Sequence, residues 1–145
     1  MSFLRGMMEK EPPEPENPIG IVVIGNLEGD HVHETAREMV RKAFKRAQFK
    51  TVNLGKGVPA AVFASKAKEV NADIIAVSVN TIPAKNNLAK LDEALKAAEL
   101  KGKVILMIGG AAVNKEDVEA IGGLYGKSKE EGVEIAKKAI AEKKK

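Results

Sequence analysis

The strongest constraint on this chain is an alternation between two hydrophobic periods. "IGIVVIG" (residues 19–25), "DIIAVS" (73–78) and "KVILMIGG" (103–110) are short apolar runs that stop at a small residue. Such runs read as strands buried on both faces, the condition of strands in a parallel sheet. Between them the period becomes helical. Ala36, Val40, Ala43 and Ala47, with Met39 beside them, share one helix face, and Ala84, Leu88, Leu91, Leu95 and Ala98 mark what reads as one long amphipathic helix. "FKTVNL" (49–54) supplies a further strand, ended by "GKGVP", in which Pro59 suits the first position of a helix running to about Val70.

Local signals complete the series. Lys101-Gly102 closes the long helix as a glycine cap, and Asn114 caps a short one. "LYG" is a short edge strand, and Ser128 with Glu131 forms a capping box opening a last helix that buries Val133, Ala136 and Ile140. Strand and helix therefore alternate five times, which implies an α/β fold with helices on both faces of a parallel sheet. Right-handed crossovers make the sheet doubly wound, and five strands favour the flavodoxin-like order 2-1-3-4-5. Ligands of such sheets sit beyond the carboxyl ends of the strands, at the switch between the first and third. That rule selects the loops after Gly25, Ser78 and Gly109.

Composition bounds the rest. The 145 residues, 44% hydrophobic, suffice for one core. Residues 1–17, with "EKEPPEPENP", are acidic, proline-rich and without apolar period, and read as a flexible arm before a folded domain at 18–145. Aromatic residues make up 3% and the net charge is +4, with three of the lysines at 143–145, so neither stacking platforms nor a phosphate-tracking stripe is expected and nucleic acid is not an expected partner. The absence of cysteine removes disulfides and thiolate metal sites. The start "MSFLRGMMEK" is too short and charged for a signal peptide and no apolar run approaches ~20 residues, so a cytoplasmic location without a membrane partner is expected.

The three loops carry the unusual residues: "GNLEGDHVHETA", "SVNTIPAK" and "GGAAVN". The chain's two histidines, His31 and His33, lie in the first. As residues alone they fit solvated loop histidines at a helix start; a protein-only metal site lacks a third imidazole or a thiolate. Ser78 stands on no nucleophile elbow, "GNLEG" lacks the dinucleotide spacing, and there is no phosphate-loop Gly-Lys-Ser/Thr. No catalytic residue is assigned.

Taken together, these loops resemble the cobalamin-binding domain family: the corrinoid proteins of methyltransferase systems, the cobalamin domain of methionine synthase, and the small subunits of adenosylcobalamin mutases. The resemblance runs from about Ile19 to Ile140 and includes "EGD", "NADIIAVS", "MIGGAAV" and "IGGLYGKS". In that family Asp-x-His-x-x-Gly follows the first strand, Ser-x-Leu the third and Gly-Gly the fourth. The resemblance implies cobalamin or a related corrinoid as cofactor, His33 as cobalt ligand and Asp30 as the acid that holds it. It also implies Ser78 as contact for the cofactor's nucleotide tail, Gly109 and Gly110 as the floor beneath it, and Tyr125 and Gly126 near its buried benzimidazole. Glu28, Gly29, Ala36, Asn80 and Thr81 complete the implied cofactor-binding set.

The match departs from the family at four places. Asp30 and His33 stand three apart instead of two; the family glycine is Ala36; Ser-x-Leu has become Ser78-Val79-Asn80; and the position of a proton-relaying hydroxyl falls on Ala84. The function implied is a corrinoid protein carrying a methyl group on cobalt between methyltransferase partners, a cofactor-carrying component more than an enzyme by itself. The alternatives are the small subunit of a mutase, paired with a barrel subunit, and a degenerate or regulatory member of the fold.

Overall fold

The computed structural model describes residues 10–144. Five strands, β1 (Ile21–Leu27), β2 (Lys50–Val58), β3 (Ile74–Ser78), β4 (Ile105–Gly109) and β5 (Leu124–Tyr125), form one sheet of order β2-β1-β3-β4-β5. All four pairings are parallel, as the apolar runs predict for this flavodoxin-like α/β fold. The helices are α1 (Glu34–Arg46), α2 (Ala60–Val70), α3 (Ile82–Lys85), α4 (Leu88–Ala97), α5 (Lys115–Glu119) and α6 (Lys129–Lys143).

Alternate strand residues feed two cores. On one face Val23, Ile75, Val77 and Ile108 meet Phe63, Leu91, Leu95 and Val118 from α2, α4 and α5. On the other, Val22, Ile24, Ala76 and Met107 meet Phe44 of α1 and Val133, Ala136 and Ile140 of α6, with Phe44 and Phe49 edge to face at 5.3 Å. This two-helix side carries the site described below.

Five local readings are corrected, the first being the cap at Lys101-Gly102: the helix ends at Ala97 with Ala98 as its cap, and Glu99 takes the left-handed conformation at φ +60°. β2 does not end at Leu54. It shifts register beside Gly25 and stays paired as far as Leu27 with Val58, so "GKGV" continues the sheet edge. The single long helix is two, α3 and α4, divided at Asn86 and Asn87; the Asn87 amide donates instead to the Glu28 carbonyl at 2.7 Å, tying the break to the loop after β1. Pro59 is the residue before α2, not its first. Of the box at α6, the bond from the Glu131 amide to Ser128 Oγ is present, whereas the reciprocal box forms at α5 between Asn114 and Asp117.

The first nine residues of the expected arm lie outside those described. Residues 10–17 contain neither helix nor strand, but they meet α1: Glu11 accepts from Arg41 at 2.8 Å and from Lys45 at 2.7 Å, and Glu14 pairs with Lys45 at 2.9 Å. The Arg41 hydrogen bond, and then that of Lys45, hold the Glu11 carboxyl at about 2, well below its usual range.

Candidate functional site

The loop after β1 is organised by one fully buried carboxylate. Asp30 Oδ1 lies 2.8 Å from His33 Nδ1 and accepts from the amides of Val32 (3.3 Å) and His33 (3.2 Å). Asp30 Oδ2 accepts from Asn26 Nδ2 at 3.1 Å and Asn80 Nδ2 at 3.0 Å. Burial by itself would raise this carboxyl, but the hydrogen bonds from His33, Asn80, Asn26 and Val32 outweigh it and hold its pKa at about 2. An ionised Asp30 accepts a hydrogen bond from His33 Nδ1–H, the tautomer that leaves the lone pair on Nε2. The extra residue between acid and histidine is absorbed by the turn, whose two amides fold back onto Oδ1.

The same carboxylate joins three loops. Asn80, after β3, also donates to Ser78 Oγ at 2.8 Å, and its carbonyl oxygen accepts from the Ala111 amide, after β4, at 3.0 Å. Thr81 Oγ1 donates to the Gly29 carbonyl at 2.9 Å and caps α3 through the Ala84 amide. Behind Asp30, Asn26 accepts from Arg37 Nη1 at 2.8 Å. The position expected to carry a relaying hydroxyl, Ala84, is fully buried, and the donors on Asp30 Oδ2 are side-chain amides. Asp30 Oδ2 is therefore held by groups that donate hydrogen bonds without giving up protons.

Beside this network a crevice of about 150 Å³ opens between α1 and the start of α6. Ile24, Val40, Phe44, Ala76 and Met107 form its apolar walls, and Ser78, Asn80 and Arg37 bring polar groups to it. A volume of this order holds a ring the size of benzene. Of the expected binding residues, Ala36, Ser78, Asn80, Gly109, Gly110 and Gly126 line it, and Asp30 and His33 adjoin it through Asn80. The methyl of Ala36 forms part of the wall and leaves the crevice open.

Four expected residues stand elsewhere. Glu28, Gly29 and Thr81 clamp the loops through the bonds already given and do not line the crevice. Tyr125 is a correction: it pairs in register with Ile108 and packs with the core on the opposite face of the sheet. Parallel partners point to the same side, so this two-residue strand turns the ring away from the crevice. His31 lies over Gly57, where a Cβ would come 2.1 Å from its ring; Gly57, at φ +60°, makes room for it. Among the described residues no three His, Asp or Glu side chains converge to hold a metal ion by themselves.

The sequence reading passed over Asn26 and Arg37, both more than nine-tenths buried. Each had a signal. Asn26 is a polar residue inside an apolar strand, and Arg37 falls between Ala36 and Val40 on the helix's apolar face. Val40, Phe44 and Lys127 to Lys129 also line the crevice without having been singled out for it.

Two predictions arise here. Gly110 sits at φ +126°, and a Cβ there would lie 2.2 Å from the Val79 carbonyl oxygen. Gly110→Ala should therefore cost at least about 1–3 kcal/mol in a urea melt, with the loops after β3 and β4 disturbed first. Asp30 gives a pH dependence. Its folded pKa lies below the ordinary value of 3.8, so its stabilisation is complete above that value and drains away as pH falls towards about 2. Asp30→Asn should flatten the fall in denaturation midpoint across that window.

The residues fit a flat, partly apolar ligand with a polar tail, bound beside one free imidazole nitrogen. Comparison with known proteins agrees. The B12 binding domain family model matches residues 20–137. Trimethylamine corrinoid protein 1 of Methanosarcina mazei is 37% identical over 141 residues, which cover 97% of this chain and 64% of that one. Dimethylamine corrinoid protein 3 of the same species is 36% identical over 127 residues, 85% of this chain and 74% of the relative. A crystal structure of a cobalamin-binding protein from Desulfitobacterium hafniense superposes with a TM-score of 0.76 at 28% identity, covering 81% of this chain and 58% of that one. The chain thus spans less than two thirds of the first of these relatives. With a family model matched over most of its length, this chain belongs to the B12-binding domain family.

Proposed function

We propose that the chain is a corrinoid protein that carries a methyl group on cobalt between methyltransferase partners. The observation that carries this reading is the His33–Asp30 pair: an imidazole fixed at 2.8 Å by a buried, ionised carboxylate beside an apolar crevice of single-ring size. In this reading His33 Nε2 would be the cobalt ligand from the protein, Asp30 sets its tautomer and orientation, and Asn26 and Asn80 hold Asp30 in place. The crevice would hold the cofactor's nucleotide tail, with Ser78 and Asn80 at its polar end. Cobalt in a bound corrinoid supplies the atom that accepts and releases the methyl group; the protein supplies binding, orientation and access.

The relatives' names favour this over a mutase subunit, for they are methylamine corrinoid proteins. Methylamine-specific methyltransferases are accordingly the partners we infer. At the same end of the sheet, Val32 (76% exposed) and Ile82 (62%) present apolar surface suited to a macrocycle. Among the described residues no helix is long and apolar enough to cross a membrane. The test is transfer of an isotopically labelled methyl group from a methylamine, through a methylamine methyltransferase, to the corrinoid-loaded protein with its cobalt first reduced to cobalt(I) by an added low-potential reductant. Label co-eluting with the chain is expected. Loaded protein that stays unlabelled with mono-, di- and trimethylamine and their methyltransferases would overturn the carrier assignment.

A further inference from the structure

β2 carries a bulge beside the loop after β1. Between the pairs Gly25–Gly55 and Leu27–Val58, β1 has one residue, Asn26, where β2 has two, Lys56 and Gly57. Those two reach the turn after β1 at three points. The Gly57 amide donates to the Asp30 carbonyl at 2.9 Å. The His31 ring lies over Gly57: a Cβ there would come within 2.1 Å of Cε1 and 2.2 Å of Nδ1, so the ring fills the place of a side chain at 57. Lys56 Nζ pairs with Glu34 Oε1 at 3.2 Å. The three contacts bracket the segment from Asp30 to Glu34, and His33 lies inside it.

That segment holds itself loosely. The amides of Val32 and His33 reach Asp30 Oδ1 at 3.3 and 3.2 Å, and Asn26 Nδ2 reaches the His33 carbonyl at 3.3 Å, all at or beyond the long end of the range for such bonds. Val32 is exposed, and His33, the N-cap of α1, makes no side-chain cap bond. The Lys56–Glu34 pair is exposed on both sides, so solvent screening leaves it little to contribute. The Gly57 amide and the His31 ring are the firmer ties from β2 to the turn. Bulges beside functional sites re-aim side chains, and Gly57, at φ +60°, both shapes this bulge and leaves its backbone bare for the ring.

We propose that His31, seated on Gly57, is a positioning residue: the pair fixes the turn so that the His33 ring meets Asp30. What His33 is aimed at rests on the corrinoid reading above, whereas the positioning is a property of the cofactor-free chain. Residues 31 and 57 act as one unit, because the ring occupies space that only a glycine leaves empty. A side chain at 57 pushes His31 off the sheet edge and drags the turn, with His33, after it. Removing the ring leaves the turn tied to the bulge by the Gly57 amide and the exposed Lys56–Glu34 pair.

The test is a double-mutant cycle read first in cofactor-free protein, by nitrogen-15 NMR of the histidine rings at a pH where both imidazoles are neutral. Equilibrium dialysis with hydroxocobalamin follows. The wild type should show His33 as a single tautomer protonated at Nδ1. Gly57→Asn, which tolerates a left-handed backbone, should shift His33 towards a mixture of tautomers. It should also weaken hydroxocobalamin about 10-fold, the lower end of what a supporting partner of a metal ligand is worth. His31→Ala should do the same to a smaller degree, and in that background Gly57→Asn should add nothing, because the ring it displaces is gone. Gly55→Asn is the control: Gly55 lies in the same strand at φ +92° with nothing within 4 Å of a Cβ, and should leave His33 as in the wild type. His33 signals unchanged in His31→Ala, or a Gly57→Asn effect of equal size with and without the ring, would overturn the positioning role. So would the same shift in Gly55→Asn. Should Gly57→Asn not fold, His31→Ala carries the test. A wild type that shows the Nδ1–H tautomer but binds no hydroxocobalamin would remove the corrinoid reading and leave the positioning pair standing.

Discussion

His33→Ala is expected to abolish nitrogen coordination from the protein while leaving the fold intact. His33 projects from the loop with 43% of its side chain exposed, and Asp30 keeps the amides of residues 32 and 33 and the side chains of Asn26 and Asn80 as donors, so the loss of stability should be smaller than for a change at Asp30 itself. Its chemistry should change greatly. Nδ1 is held at 2.8 Å by a buried, ionised carboxylate, which leaves Nε2 as the ring nitrogen available to coordinate. Affinity for hydroxocobalamin should fall by at least about 10- to 100-fold, the range seen when even a supporting partner of a metal ligand is removed. The check is electron paramagnetic resonance of the reduced cobalt(II) form with nitrogen-15 histidine. The labelled wild type should show altered nitrogen splitting, and His33→Ala should show none. Nitrogen-15 splitting that persists in His33→Ala would pass the ligand role to His31, the other histidine of the loop.

Asp30→Leu should produce the largest loss of stability of any single change at the site. The substitution leaves the amides of Val32 and His33 and the side-chain amides of Asn26 and Asn80 without their acceptor in a fully buried place. Stripping one partner from such a network costs about 3–5 kcal/mol, roughly 10–15 °C in melting temperature for a domain this size. Cofactor affinity should fall as well, because the imidazole loses both its tautomer and its orientation. Asn at position 30 retains one acceptor oxygen and should cost much less. The comparison of the two variants separates the network's structural part from its charge.

The legible parts of the fold were those set by continuous burial. "IVVIG", "IIAVS" and "ILMIG" could only be central strands, and their parallel pairing follows from the helices between them. The convergence of the loops after β1, β3 and β4 followed from strand order alone, and Asn80 now ties all three through bonds to Asp30, Ser78 and Ala111. What escaped depended on contacts distant in sequence. The helix break at Asn87 is fixed by a carbonyl 59 residues away, and the continuation of β2 depends on a register shift opposite Gly25. The side of the sheet on which Tyr125 packs was not legible, because a two-residue strand has no period of its own; its partner Ile108 decides. Asn26 and Arg37 were visible as polar residues in apolar surroundings, but only the fold reveals that they stand in one line behind Asp30.

Mixing the purified chain with hydroxocobalamin and following cobalt through gel filtration tests the central claim most directly. Equimolar cobalt travelling with the protein, with a visible spectrum displaced from that of the free cofactor, is the expected result. Cobalt that elutes entirely in the small-molecule fraction, from protein that melts cooperatively and is therefore folded, would contradict it.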